Sequence, residues 1–200
     1  QVTMVSLTEK EREALIILFK DFTNYYNSNS ISKVLGISHV GAQKIFKRLL
    51  KDRLVTSQQI GKSIIFKPRL EDDYTCKLLA FLLADETNNK FKRWKEEFRQ
   101  LFKKDRIVML FGSAVNNYAT SKDIDIMIVI KKADLREVKK IIDEKQELLP
   151  KRIHSIELTE GDLKNNLKKK EKAIIDIVKN AIILYGQDRY VEAIKNVTSP

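Results

Sequence analysis

The sequence predicts an α+β protein: an N-terminal helical unit carrying a short two-stranded ribbon, a helical connector, and a C-terminal unit in which strands and helices alternate. Three observations carry this. The stretch from Leu7 to Lys51 holds three amphipathic segments separated by turn residues, and two short β-type runs follow it. From 71 to 104 apolar residues recur only at helical spacing. After Asp105 short apolar runs alternate with amphipathic helices. The expected boundaries are 1–70, 71–104 and 105–200.

Composition narrows the class. Two hundred residues, 43% hydrophobic and 32% charged, suit one or two folded domains rather than a disordered chain. The longest apolar run, Leu78 to Ala84, is far too short to cross a bilayer, and no basic-then-apolar leader opens the chain. Met4 is the expected native start, and the lone Cys76 admits no internal disulfide, so a cytoplasmic location is expected. A net charge of +11 points to polyanionic partners, nucleic acid before membrane. A lysine-rich surface kept for solubility is the plainer alternative.

Thr8 followed by Glu11 is a capping box, and Ala14, Leu15, Leu18, Phe19 and Phe22 give the first helix one apolar stripe. Ser30 opens a short second helix, Ile31 to Leu35, which Gly36 ends. Ser38 caps a third helix running to Lys51. Ala42, Ile45, Phe46, Leu49 and Leu50 lie on one face of it, and Val40, Lys44, Lys47, Arg48 and Lys51 on the other. Leu54–Gln58 and Ser63–Lys67 read as strands joined around Gly61, with Pro68 stopping the second.

A short helix, a tight turn and a longer helix with a basic outer face form a helix-turn-helix pattern. With the ribbon, residues 7–70 resemble the winged helix-turn-helix domains of prokaryotic regulators. The resemblance implies double-stranded DNA as partner, met by Ser38, His39, Val40, Lys44, Lys47, Arg48, Lys51 and, at the wing tip, Gln59, Lys62 and Ser63. In the connector, Leu78, Leu79, Leu82 and Leu83 form a stripe broken at Asp85–Asn89. That stripe is the candidate contact for a homodimer. A second helix, Lys90 to Lys104, carries Phe91, Trp94, Phe98, Leu101 and Phe102 as core.

The C-terminal unit is organised around Leu110–Val129. It holds a buried strand, then Gly112-Ser113, nine further residues, and Asp123-Ile124-Asp125 opening a second strand. Residues i and i+2 of a strand share a face, so both carboxylates project together, an arrangement tolerated chiefly where cations sit between them. Gly112 permits a sharp turn and close approach of a ligand. Ser113 adds a hydroxyl and, with a helix starting there, backbone N–H groups suited to phosphate. The expected elements after this are a helix from Ser113 to Tyr118, a helix from Asp134 to Leu149, and a strand from Lys151 to Leu158. A long helix from Asp162 to Tyr185 closed by Gly186 follows, and a last one runs from Asp188 to Asn196.

Phe111-Gly112-Ser113, the nine-residue spacing, Asp123-Ile124-Asp125 and the tail Ala181–Gln187 resemble the nucleotidyltransferase domain of the DNA polymerase beta superfamily in its smallest prokaryotic form. The resemblance covers about 105–195 and implies a small mixed sheet. It also implies Mg²⁺ or Mn²⁺ at Asp123 and Asp125, and a nucleoside triphosphate, expected to be ATP, held by Gly112, Ser113 and Lys122. Two positions depart from the pattern. Asn116-Asn117 stands where active relatives carry Arg-Gly, and counting back from the following helix puts the third acid near His154 or Ser155. Glu157, the only carboxylate on that strand, is the candidate third catalytic and metal-binding acid.

Three functions are open to the sequence. One is transfer of a nucleoside monophosphate to a protein or RNA hydroxyl. Another is DNA-binding regulation by a domain that no longer transfers. The third, implied by the resemblance, is an antitoxin-like partner of a HEPN-type ribonuclease.

Overall fold

The structure, a computed structural model, describes residues 6–198. The expected start at Met4 lies outside them. The chain divides into two units, Gln1–Leu79 and Ala80–Pro200.

In the first unit, α1 (Glu9–Lys20) opens with the expected capping box: Thr8 N donates to Glu11 Oε2 at 2.7 Å, and Glu11 N to Thr8 Oγ1 at 3.4 Å. Its buried stripe is Ala14, Leu15, Leu18 and Phe19. Helix α2 spans Ser28–Leu35, earlier than expected. The reason is that Asn27, not Ser30, is the cap: Asn27 Oδ1 accepts from the N–H groups of Asn29 and Ser30, and Ser30 Oγ accepts from Asn27 N. Gly36, left-handed at φ 63°, ends it. Helix α3 (His39–Lys51) starts on Ser38 Oγ, which accepts from Gly41 N at 3.1 Å.

Strands β1 (Val55–Ile60) and β2 (Ser63–Pro68) pair antiparallel, with Ile60 opposite Ser63. The connection is therefore the two-residue turn Gly61-Lys62, and it works because Gly61 takes φ 58°. Phe66 of β2 stacks on Phe46 of α3 with ring centroids 3.8 Å apart, fastening the ribbon to the helix.

The division between the units falls inside α4 (Asp73–Lys90). The polar run Asp85–Asn89, expected to break the helix, continues it. Thr87, buried, donates its hydroxyl to Leu83 O and to Ile183 O. Of the leucine stripe expected to offer a dimer contact, Leu79, Leu82 and Leu83 are buried within the chain and Leu78 is half-buried. The expected helix from Lys90 to Lys104 is instead α5 (Lys92–Glu97) and a 3₁₀ turn at Arg99–Leu101, with Trp94, Phe98 and Leu101 buried.

The second unit continues with β3 (Ile107–Phe111), α6 (Ser113–Asn116), β4 (Asp123–Val129), α7 (Leu135–Leu148) and β5 (Arg152–Leu158). It closes with α8 (Glu160–Lys168), α9 (Lys172–Asn180), β6 (Ile182–Tyr185) and α10 (Gln187–Thr198). The sheet order is β5-β4-β3-β6, with β4 and β5 parallel across α7 and the other pairs antiparallel, so the sheet is mixed. The long helix expected from Asp162 to Tyr185 is corrected to two helices and a strand. Lys170 at φ 54° separates α8 from α9, and Ile182–Tyr185 hydrogen-bonds along β3.

On one face of the sheet Val108, Leu110, Ile124, Ile126, Ile128 and Ile153 pack against Trp94, Phe98, Leu101, Val138 and Ile142. On the other, α8 packs on β5, and α10 on β3 and β6. Arg106 is fully buried at the foot of β3, where it donates to Leu101 O and pairs with Glu137 at 2.8 Å. Among the described residues no helix is long and apolar enough to cross a membrane.

Candidate active site

The motif that organised the sequence lies at one end of the mixed sheet. Because β3 and β4 run antiparallel with Phe111 opposite Asp125, the residue that leaves β3, Gly112, comes against Asp125, the third residue of β4. The fit is tight: a Cβ built on Gly112 would lie 2.1 Å from Asp125 Oδ2 and 3.0 Å from its Cγ. Gly112 also holds φ 74° and ψ −161°, a region essentially closed to any other residue. Sequence and packing therefore require glycine here for two separate reasons.

Ser113 is exposed at the start of α6, which is one turn long and ends at Asn116, short of the expected Tyr118. From there Asn117 shapes the loop back to β4. Its Oδ1 accepts from Ala119 N at 3.0 Å and its carbonyl accepts from Ser121 N at 3.1 Å. Lys151, just before β5, donates its ammonium to the carbonyls of Tyr118, Ala119 and Ser121 and lies 4.3 Å from the Tyr118 ring centre. Arg93 covers the same ring at 4.6 Å. Lys151 thus pins the loop between Gly112-Ser113 and the carboxylates. Sequence reading missed this residue, since a lysine before a strand carries no local signal of a partner some thirty positions away.

Asp123 and Asp125 project from one face of β4, partly buried at 30% and 20% side-chain exposure. Burial raises the Asp125 carboxyl above its usual range, and the Asp123 charge adds to that, while His154 opposes it. The parallel register sets Asp125 beside His154, whose Nδ1 lies 3.3 Å from Asp123 Oδ2 and 3.5 Å from Asp125 Oδ1. One donor atom from each of the three lies within 4.8 Å of the others, a spacing that fits a divalent cation.

Glu157 is not brought to this group. It stands opposite Ile128, three steps beyond His154, and an odd number of steps along a strand points it to the other face of the sheet. One of its oxygens is buried there with no hydrogen-bond partner among the described residues. The residue that meets the aspartates is His154. Lys122 is exposed immediately before Asp123.

In the first unit Ser38, His39, Val40, Lys44, Lys47, Lys51 and Lys62 are exposed, Val40 at 58%. Arg48 is exposed as well but tied down: its guanidinium donates to Ser6 O at 2.6 Å and lies 3.4 Å from the buried Glu11 carboxylate. A groove between α3 and the ribbon is lined by Asn29, His39, Lys47, Lys51 and Lys62.

Neither the curated proteins nor the solved structures searched contain a match to this chain. Residues 96–190, which hold β3, β4, β5, β6 and the group Gly112, Asp123, Asp125 and His154, do match the family model Polymerase beta, Nucleotidyltransferase, and to that extent this part of the chain is similar to nucleotidyltransferase domains.

Proposed function

We propose that the C-terminal domain transfers a nucleoside monophosphate from a triphosphate to a protein or RNA hydroxyl. The observation that carries this is the convergence of Gly112 with Asp123 and Asp125 at the sheet end, inside the matched region. The acceptor hydroxyl gives up its proton to solvent, its oxygen forms a bond to the α-phosphorus, the bond from that phosphorus to the bridging oxygen breaks, and pyrophosphate leaves. A divalent cation at Asp123 and Asp125 supplies charge neutralisation of the triphosphate and of the leaving oxygen.

This chain's own part is to hold and aim. Gly112 offers a backbone without a side chain against Asp125, and the exposed Ser113 hydroxyl can bond a phosphate oxygen. Lys151 keeps the intervening loop in place. Transfer of a labelled α-phosphate by the wild type, and its loss in Asp123→Ala and Asp125→Ala, is the test.

The N-terminal unit, in this reading, is a winged helix-turn-helix that binds double-stranded DNA. Support comes from the capped α2-turn-α3 pair, the Gly61-Lys62 ribbon turn and the lysines that line the groove between helix and ribbon. Replacing Lys44, Lys47, Lys51 and Lys62 by Gln is expected to flatten the dependence of log affinity on log salt by up to about 0.9 for each phosphate no longer neutralised. Binding titrations at several salt concentrations read that slope. An unchanged slope removes the DNA surface from α3 and the ribbon.

A regulatory reading, in which the domain binds nucleotide without transferring it, is favoured by one observation: an imidazole meets the aspartates where a third carboxylate is expected. DNA binding with no transfer to any acceptor selects that reading.

A further inference from the structure

The group at the sheet end contains one nitrogen donor and two carboxylates, and the nitrogen changes which cation it takes. His154 Nδ1 stands 3.3 and 3.5 Å from oxygens of Asp123 and Asp125. Both distances exceed the roughly 2.7–2.9 Å of a charge-assisted hydrogen bond. They are close to the ligand–ligand edge of a coordination shell: bonds of about 2.1–2.2 Å meeting at right angles put donor atoms about 3 Å apart. The three donors, each within 4.8 Å of the others, can therefore face one ion.

Backbone pairing fixes the geometry. Asp125 and His154 are register partners on parallel strands, so their side chains leave the sheet on the same face, and Asp123, two residues earlier on β4, shares that face. His154 is 47% exposed at its side chain, so a cation can reach it from solvent.

Mg²⁺ demands oxygen ligands and near-ideal octahedral geometry, whereas Mn²⁺, Co²⁺ and Zn²⁺ accept imidazole. Exchanging a third carboxylate for imidazole also removes one negative charge from the site, which weakens its hold on a hard cation most. We infer that Asp123, Asp125 and His154 bind a first-row divalent transition-metal ion such as Mn²⁺, Co²⁺ or Zn²⁺ in preference to Mg²⁺, with His154 Nδ1 as a direct ligand. This rests on the reading of the site as a cation-dependent nucleotidyltransferase centre, which by itself requires only the two aspartates.

The probe is Mn²⁺, followed by electron paramagnetic resonance on the full-length protein with Mg²⁺ as competitor. Expected in the wild type are one Mn²⁺ with nitrogen hyperfine coupling and at least a ten-fold excess of affinity over Mg²⁺. His154→Asp is expected to abolish the nitrogen coupling and to narrow the Mn²⁺ to Mg²⁺ ratio by about ten-fold, by restoring the third oxygen. His154→Ala is expected to lose the coupling and weaken Mn²⁺ binding by about ten-fold, the cost of one ligand-level change. Circular dichroism and thermal unfolding establish that each variant is folded.

Bound Mn²⁺ without nitrogen coupling overturns the inference, as does a Mn²⁺ to Mg²⁺ ratio equal in wild type and His154→Asp. Transfer activity alongside either result leaves the proposed function standing. Nitrogen-coupled, Mn²⁺-selective binding in a protein that transfers nothing supports the inference and removes the function.

Discussion

Gly112→Ala is expected to cost about 2–4 kcal/mol of stability and to abolish cation-dependent nucleotide binding. The two causes are separable. At φ 74° and ψ −161° the backbone of Gly112 occupies a region in which any Cβ is strained. The added methyl would also stand 2.1 Å from Asp125 Oδ2, 3.0 Å from Cγ and 3.2 Å from Cβ. Rotating the carboxylate relieves the first contact but not the last two, because Asp125 is fixed in the ladder opposite Phe111 on one side and His154 on the other.

Gly36→Ala is the control. Gly36 is left-handed too, at φ 63°, but nothing lies within 4 Å of its missing Cβ. Its cost is expected to stay near 1 kcal/mol, the effect of left-handed backbone alone. Thermal or urea unfolding measures both variants. Equal losses at the two glycines would mean that Asp125 does not pack on Gly112.

Asp125→Asn is expected to abolish transfer while making the protein more stable at neutral pH, by about 1 kcal/mol or about 3–5 °C in Tm. Burial raises the Asp125 carboxyl, the Asp123 charge raises it further, and His154 offsets only part. A carboxyl raised in the folded state binds its proton more tightly there than in the unfolded chain, so stability falls as pH climbs from the unfolded to the folded value. Above that window the ionised group is a standing cost, which a neutral amide of the same shape removes.

The gain should therefore be full at pH 7 in the presence of a chelator, and should shrink as the pH is lowered through the carboxylate range. Added divalent cation should reverse the order, because only the wild type gains stability by binding it. A destabilised Asp125→Asn at pH 7 without metal would show that the aspartate pair is held by favourable partners and is no repulsive, cation-seeking arrangement.

Much of this could be read from the residues, and the failures share a cause. Caps are local, so Thr8 with Glu11, Ser38 and Gly36 declared their helices, and Gly61 its ribbon turn. The glycine and the two aspartates were legible because strand alternation and spacing are also local. The run Ala173 to Tyr185 was not: its dense isoleucine and leucine satisfy a helix and a strand equally well. What decides is the free edge of β3, which takes Ile182–Tyr185 as a partner.

The partner of the aspartates failed for the same reason. Glu157 has the right chemistry, but the register of β5 on β4 sets His154 beside Asp125 and turns Glu157 to the opposite face. Parity along a strand is visible in sequence; register between strands is not. Arg48, assigned to an outer basic face by helical periodicity, is exposed there, and its bonds to Glu11 and Ser6 come from a partner distant in sequence.

The most direct test of the central claim is single-turnover transfer with triphosphate labelled at the α-phosphate in one reaction and at the γ-phosphate in another, with Mn²⁺ or Mg²⁺ and cell-derived protein and RNA as acceptors. The expected result is covalent attachment of the α-label only, with the γ-label leaving in pyrophosphate, and at least a hundred-fold loss in Asp123→Ala and Asp125→Ala. Attachment that survives both substitutions, or no attachment to any acceptor with either metal, would contradict it.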